Sequence, residues 1–258
     1  TDGDTAEAAR LRIQQAAQGS LHVTDVVSKE RKRRPAAPFT TSTLQQEASR
    51  KLGFTTRKTM QVAQKLYEGV AIGEEGTVGL ISYMRTDSVN LSQDALAEIR
   101  DVIARDFGIE SLPDQPNTYA TKSKNAQEAH EAVRPTSALR TPAQVARFLT
   151  DDERRLYELI WKRSVASQMI PATLNTVSVD LSAGSEHVFR ASGTTVVVAG
   201  FLAVYEEGKD SKGADDEDEG RKLPVMKPGD RVPLERIVAD QHFTQPPPRF
   251  TEAALVKA

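Results

Sequence analysis

The sequence of 258 residues contains no cysteine. Disulfide bonds and metal sites built on thiolates are therefore excluded. Hydrophobic residues make up 38% of the chain and aromatic residues only 5%, which is low for a globular protein. No apolar run approaches the roughly 20 residues that a membrane-spanning helix needs. The composition leaves room for one or two domains with a core, and we expect no membrane partner.

Net positive charge is also lacking, since the formal net charge is −2 and the pI is about 6.1. This balance excludes a uniformly basic protein that coats nucleic acid, so any phosphate contact must come from local patches. One basic run covers residues 29–34 and is interpreted either as a phosphate contact or as a solvated hinge. An acidic run covers residues 215–219, and its flexible flanks favour a solvated loop over a magnesium site.

The hydrophobic pattern predicts an α+β protein in which a mainly helical domain is inserted into a β-rich one. Capping signals and apolar stripes predict helices over 4–17, 42–52 and 56–69, after Ser92, from Pro142 and from a capping box at Thr150. Alternating patterns predict strands over 21–28, 173–182, 187–191, 194–205 and 231–238. We therefore predict a discontinuous β-rich domain over 1–40 and 171–245, a helical domain over 41–170, and the start of a further domain over 246–258.

The segment 79–91 contains a short apolar stretch followed by Tyr83, Arg85, Thr86 and Asp87. In an extended chain, alternate side chains share a face, so Tyr83, Arg85 and Asp87 would project to one side. On a helix, residues two apart do not face each other. The spacing therefore favours an extended segment that places a phenol beside a guanidinium.

A tyrosine beside an arginine is suited to attack on phosphorus. The phenol of tyrosine is a weak nucleophile at neutral pH because its pKa is about 10, and a neighbouring cation favours the phenolate. The planar fork of arginine donors matches phosphate geometry. A covalent phosphotyrosine intermediate is the chemistry that this pair suggests. The alternative is a strand-end tyrosine next to a solvated arginine.

The run Tyr83-Met84-Arg85-Thr86-Asp87-Ser88 resembles the active-site signature of bacterial type IA DNA topoisomerases. Further stretches resemble the same family in the same order. They are Pro38–Gln46, Met60–Gly69, Ala126–Pro135 and Pro248–Lys257. Five ordered motifs spanning about residues 35–258 are much more specific than any single one.

The resemblance implies an arch-like β domain carrying a helical domain, and an enzyme that relaxes negatively supercoiled DNA without ATP. It implies that Tyr83 attacks single-stranded or underwound DNA to form a 5′-phosphotyrosine, with Arg85 stabilising the charged transition state. The family also needs Mg²⁺, held by an acidic cluster of a Toprim domain. No such acidic pattern is present in this sequence, so we expect no metal ligands here.

Four further candidate contacts follow from the matching motifs. His130 is a candidate catalytic residue, and Gln64, Thr86, Asp87 and Arg134 are candidates for DNA contact. Thr86 and Asp87 are equally interpreted as shaping the turn that positions Arg85.

His130 and Arg134 are expected on one face of a helix, because they are four residues apart. Glu128 and Glu131 are interpreted as orienting His130 rather than as metal ligands, since no second set of ligands accompanies them. Lys122, Lys124, Arg57 and Lys58 are weaker candidates for contacts with the DNA backbone.

The sequence ends inside a predicted helix and lacks the Toprim pattern, which predicts a central piece of a longer enzyme. We expect this piece alone to cleave DNA poorly, and expect its partners to be the Toprim and DNA-entry domains of the same protein. The alternative function is a non-catalytic module that binds single-stranded DNA. A tyrosine recombinase is disfavoured because Tyr83 precedes His130 and Arg134, and a relaxase because the four histidines are scattered.

Overall fold

The structure is a computed structural model that describes residues 2–120, 130–208, 221–244, 246 and 249–257. Contacts between Cα atoms divide the chain into two compact units. The β-rich unit comprises residues 1–32, 173–198 and 212–248, and the helical unit comprises residues 33–172, 199–211 and 249–258. The fold is α+β, with both units assembled from separate stretches of the chain.

The β-rich unit is built on a four-stranded sheet preceded by helix α1 (Gly3–Ala17). Its strands are β1 (Ser20–Arg33), β4 (Ala172–Ala183), β5 (His187–Val198) and β6 (Arg231–Pro233). The sheet order is β5-β4-β1-β6. Strands β4 and β5 form an antiparallel hairpin from Thr173 opposite Val198 to Ala183 opposite His187. Strand β1 continues through most of the basic run, which the sequence had not predicted.

A small apolar cluster on this sheet follows from the alternation of side chains along β1 and β4. Val23, Val179 and Leu181 are buried at its centre. Phe189, Leu223 and other partly buried side chains pack against them. The predicted strand over 173–182 is confirmed.

Among the described residues, the helical unit contains four longer α-helices and two short ones. Its helices are α2 (Thr41–Leu52), α3 (Thr56–Glu68), α4 (Gln93–Phe107), α5 (Pro142–Val145), α6 (Asp151–Ser167) and α7 (Glu252–Lys257). Strands β2 (Val70–Ala71) and β3 (Thr77–Val78) form a two-stranded antiparallel ribbon. No helix in the described ranges is long and apolar enough to span a bilayer.

Polar residues define the helix ends as the sequence predicts. Ser92 caps α4, and Thr150 caps α6 in a capping box with Glu153. Gly53 ends α2 with a left-handed backbone at φ 68°, a conformation that glycine adopts without steric cost.

The core of the helical unit forms around α6. Leu156, Tyr157 and Ile160 are fully buried there, and Trp161 donates its indole N–H to the Ala138 carbonyl at 2.8 Å. Burial raises the pKa of Tyr157, whose hydroxyl donates to the Arg140 carbonyl at 2.7 Å. The predicted apolar face of this helix is confirmed.

Two predicted strands are wrong in extent. The strand predicted over 194–205 ends at Val198, and a 3₁₀ turn follows over Gly200–Ala203. Phe201 and Tyr205 are buried in the core of the helical unit, so packing against helices replaces the strand. The strand predicted over 231–238 is limited to Arg231–Pro233.

Candidate active site

The segment that contains Tyr83 is held in place by backbone hydrogen bonds from both sides. The Leu80 amide donates to the Leu66 carbonyl at 2.7 Å, and the Ser82 amide donates to the Arg134 carbonyl at 2.9 Å. Ile81 also forms an antiparallel bridge with Pro135. The chain therefore reaches Tyr83 as a segment whose backbone is paired on both sides.

Burial alternates strictly beyond this point. Met84, Thr86 and Ser88 are 0%, 8% and 1% exposed. Tyr83 is 48% exposed, and Arg85 and Asp87 are exposed as well. The predicted period of two is confirmed, and it leaves the phenol and the guanidinium accessible to a ligand.

Thr41, the first residue of α2, fixes the far side of the segment. Its amide donates to the Thr86 carbonyl at 2.8 Å, and its hydroxyl donates to the Met84 carbonyl at 2.7 Å. The same hydroxyl accepts from the Thr86 amide at 2.8 Å. The sequence reasoning missed this role, although Thr41 lies in the Pro38–Gln46 motif.

Thr86 is positioned to shape the loop. Its side chain is buried, and its hydroxyl accepts from the Ser88 amide at 3.0 Å. These contacts support the alternative in which Thr86 shapes the turn, whereas the Asp87 side chain is exposed.

Tyr67, near the end of α3, packs its ring against Tyr83. The ring centroids are 5.3 Å apart and the planes meet at 63°, an edge-to-face arrangement. Both rings are partly exposed. Tyr67 was not singled out from the sequence, and its position inside the Met60–Gly69 motif was the available signal.

Arg85 lines an open cavity of about 840 Å³ along α3. The cavity brings Arg85 together with Gln64, the α3 residue that the sequence proposed for DNA contact. The Gln64 amide nitrogen donates to Glu68 at 2.7 Å. Arg57, Lys58 and Lys65 line the same cavity.

The charge around this cavity is positive. Its one acidic lining residue, Asp152, pairs with Lys58 at 2.9 Å. Within the described part of the chain, no carboxylate oxygen lies within 4.0 Å of the charged nitrogens of Arg57, Lys65 or Arg85. Three cations are therefore available to an anionic ligand.

The helix predicted around His130 and Arg134 is wrong for the described part of that motif. Residues 130–135 are extended, and Val133 forms an antiparallel bridge with Phe39. Ala132 and Val133 are fully buried. Pairing with two separate segments satisfies this backbone, so the four-residue spacing does not place His130 and Arg134 on one helical face. His130 is exposed.

Glu131 and Arg134 form a local ion pair at 2.6 Å. Arg134 also donates to the Pro135 carbonyl at 2.9 Å, and Glu131 accepts from the Ser92 amide at 2.7 Å. Burial raises the pKa of Glu131, but the hydrogen bonds from Ser92 and the Arg134 guanidinium outweigh it and lower the pKa below the ordinary value of 4.5. The Glu131 carboxylate thus holds Ser92 and Arg134, instead of orienting His130 as predicted.

The described residues include no cluster of three or more histidine, aspartate or glutamate side chains that could hold a metal ion. The predictions for Lys122, Lys124, Glu128 and the acidic run 215–219 lie outside the described residues.

Comparison with known proteins places this site in a family. A model of the DNA topoisomerase family matches residues 1–258. DNA topoisomerase 1 of Xylella fastidiosa (strain Temecula1 / ATCC 700964) is 80% identical over all 258 residues, which are 32% of that protein. DNA topoisomerase 1 of Rickettsia felis is 49% identical over 239 residues, 92% of this chain and 30% of that protein.

A solved structure shares the fold over the whole chain. Full-length topoisomerase I from Thermotoga maritima matches with a TM-score of 0.80 and 34% identity, covering 100% of this chain and 39% of that protein. The chain thus spans about a third of the length of its curated relatives. Both sequence and fold show that the chain belongs to the bacterial type IA DNA topoisomerase family.

Proposed function

We propose that this chain supplies the nucleophile of a DNA topoisomerase that breaks and rejoins one strand of single-stranded or underwound DNA. The observation that carries the proposal is the exposure of both Tyr83 and Arg85 on a segment whose backbone is hydrogen-bonded to Leu66, Arg134 and Thr41. The family and the relatives named DNA topoisomerase 1 support this activity.

In the proposed reaction the Tyr83 phenolate oxygen forms a bond to a backbone phosphorus. The bond from phosphorus to the 3′ oxygen breaks, and that oxygen takes up a proton. The Arg85 guanidinium stabilises the charge that develops on the phosphoryl oxygens. The 5′-phosphotyrosine conserves the phosphodiester, so the reverse attack by the 3′ hydroxyl rejoins the strand without ATP. Passage of DNA through the break would relax negative supercoils.

The remaining catalytic groups are proposed to lie outside this chain. The described residues hold no metal cluster, and the chain corresponds to about a third of each relative. We therefore assign Mg²⁺ to a Toprim domain of the whole protein. We expect the whole protein to act on the nucleoid in the bacterial cytoplasm. Within this chain, His130 remains a proposed catalytic residue, and Asp87, Gln64 and Arg134 remain proposed DNA contacts.

The test uses a hybrid in which this chain replaces the matching third of the Xylella fastidiosa relative, 80% identical to it. Incubation with a single-stranded oligonucleotide and Mg²⁺ is expected to give a covalent adduct that mass spectrometry assigns to Tyr83. Tyr83→Phe should abolish the adduct and the relaxation of supercoiled plasmid, while binding to the oligonucleotide persists. An adduct on another residue would refute the proposal.

A second candidate function is a module that binds single-stranded DNA without cleaving it. The cation-lined cavity beside Arg85 favours this for the isolated chain, because it needs no further domain. Incubating the chain alone with oligonucleotide and Mg²⁺ is expected to show binding without an adduct. Robust adduct formation by the chain alone would contradict the expected inactivity.

A further inference from the structure

Helix α3 presents two chemically different faces. Thr59, Val62, Ala63 and Leu66 are buried against the core of the helical unit. Arg57, Gln61, Gln64 and Lys65 recur at spacings of three and four and line the open cavity. The cavity side of α3 thus carries a row of cationic and amide side chains, and Met60 and Val62 line the cavity between them.

The cavity is longer than one phosphate group. Arg57 and Lys65 are eight residues apart, which is about 12 Å along the helix axis. Arg85 adds a third cation from the Tyr83 segment. The positive end of the helix itself is already neutralised, because the Thr56 amide donates to the Glu252 carboxylate at 2.6 Å. A phosphate ligand would therefore be held by the side chains along the helix.

The cationic side chains that line the cavity favour an extended polyanion as the ligand. Asp152 offsets only Lys58, with which it pairs at 2.9 Å. The guanidinium groups of Arg57 and Arg85 match phosphate oxygens in a planar, bidentate geometry. Gln61 supplies a polar amide between the two ends of the row. A single-stranded nucleic acid backbone has the repeated negative charge that this row complements.

The chemistry proposed at Tyr83 defines which strand stays attached to the protein. A tyrosine joined to a 5′ phosphate retains the strand that continues in the 3′ direction, and the other strand leaves with a free 3′ hydroxyl. We propose that the α3 face, with Arg57, Lys65 and Arg85, is the binding site for the first phosphates on the 3′ side of the break. This rests on the strand cleavage proposed above. The α3 face keeps the attached strand aligned with Tyr83 for rejoining.

The binding experiment uses this chain and a short single-stranded oligonucleotide with a 5′ phosphate, measured by fluorescence anisotropy from about 50 to about 200 mM salt. Arg57→Ala/Lys65→Ala removes two phosphate contacts and is expected to flatten the slope of log K against log salt by about 1.4. At 0.1 M salt this corresponds to about 25-fold weaker binding than the unmodified chain, if binding is equal at 1 M.

A matched control removes the same net charge elsewhere. Arg154 and Lys162 are partly exposed cations of α6 outside the cavity, both paired with Glu158. Arg154→Ala/Lys162→Ala is expected to leave the slope unchanged, and Arg57→Lys/Lys65→Arg is expected to retain it. If both double alanine variants flatten the slope equally, the effect reflects net charge alone and the proposed site is refuted. Thermal unfolding of each variant checks that the fold is intact.

Strand polarity is tested by neutral linkages. When neutral methylphosphonates replace the two linkages nearest the 5′ phosphate of the oligonucleotide, binding to the unmodified chain should weaken. The Arg57→Ala/Lys65→Ala variant already lacks the contacts to those linkages, so its affinity should be the same for the modified and the ordinary oligonucleotide. The same substitution at the 3′ end should cost less. Equal costs at both ends would refute the assigned polarity while leaving strand cleavage by Tyr83 untouched. Tyr83→Phe should bind normally, so loss of an adduct alone does not count against the α3 site.

Discussion

The ring of Tyr67 restricts the side chain that is proposed to attack phosphorus. Its centroid lies 5.3 Å from that of Tyr83. Tyr83 is 48% exposed, so much of its phenol ring is open to solvent and the contact with Tyr67 restricts its orientation. An edge-to-face pair contributes about 0.5–1.5 kcal/mol beyond the area that it buries.

Tyr67→Ala is therefore expected to slow adduct formation by about 2–10-fold in the hybrid enzyme, because the Tyr83 ring gains unproductive orientations. Tyr67→Phe retains the ring and should restore the rate. Single-turnover kinetics at saturating oligonucleotide separate this effect from binding. If alanine and phenylalanine behave alike, the ring contact does not position Tyr83.

At the scale of the element, the start of α2 organises the loop that follows Tyr83. Thr41 bonds to Met84 and Thr86 through both its amide and its hydroxyl. A buried amide that loses its acceptor costs about 1–3 kcal/mol. The capped helix and the nucleophile segment therefore form one structural element, although they are more than 40 residues apart in the sequence.

Thr41→Val is expected to lower the free energy of unfolding by about 1–3 kcal/mol, because the Thr86 amide loses its hydroxyl acceptor. Chemical denaturation followed by circular dichroism provides the measurement. Ser42→Ala, on the exposed side of the same helical turn, is the control and should change stability by less than about 0.5 kcal/mol. If both variants lose the same free energy of unfolding, the Thr41 hydroxyl does not stabilise the loop after Tyr83.

At the scale of the whole molecule, each unit has its own hydrophobic core. The core of the helical unit includes Leu156, Tyr157 and Ile160, whereas Val23, Val179 and Leu181 form the core of the β-rich unit. The two cores share no residue among those described. The smaller cluster gives less hydrophobic stabilisation.

We expect calorimetry of this chain to show two unfolding transitions, with the β-rich unit melting first. Ile160→Ala should lower the upper transition by removing about 2–5 kcal/mol from the helical core. Val179→Ala should lower the other transition instead. A single transition that both substitutions shift equally would show that the cores unfold together.

Local sequence signals determined much of the secondary structure. The capping residues Ser92 and Thr150 and the terminating Gly53 set helix ends that the structure confirms. The alternation at Tyr83, Arg85 and Asp87 also predicted their exposure. These features depend on side chains within a few residues of one another, so they can be inferred without knowing the fold.

Only the tertiary structure decided which distant segments meet. Residues 130–135 follow a helix-like spacing, yet they are extended because their backbone pairs with Phe39 and with the Tyr83 strand. Likewise, Arg85 joins the cationic face of α3, and Tyr67 meets Tyr83, through contacts that no local pattern encodes. Burial of shared apolar surface and pairing of backbone groups across the chain outweigh local preference, and these contacts complete the candidate site.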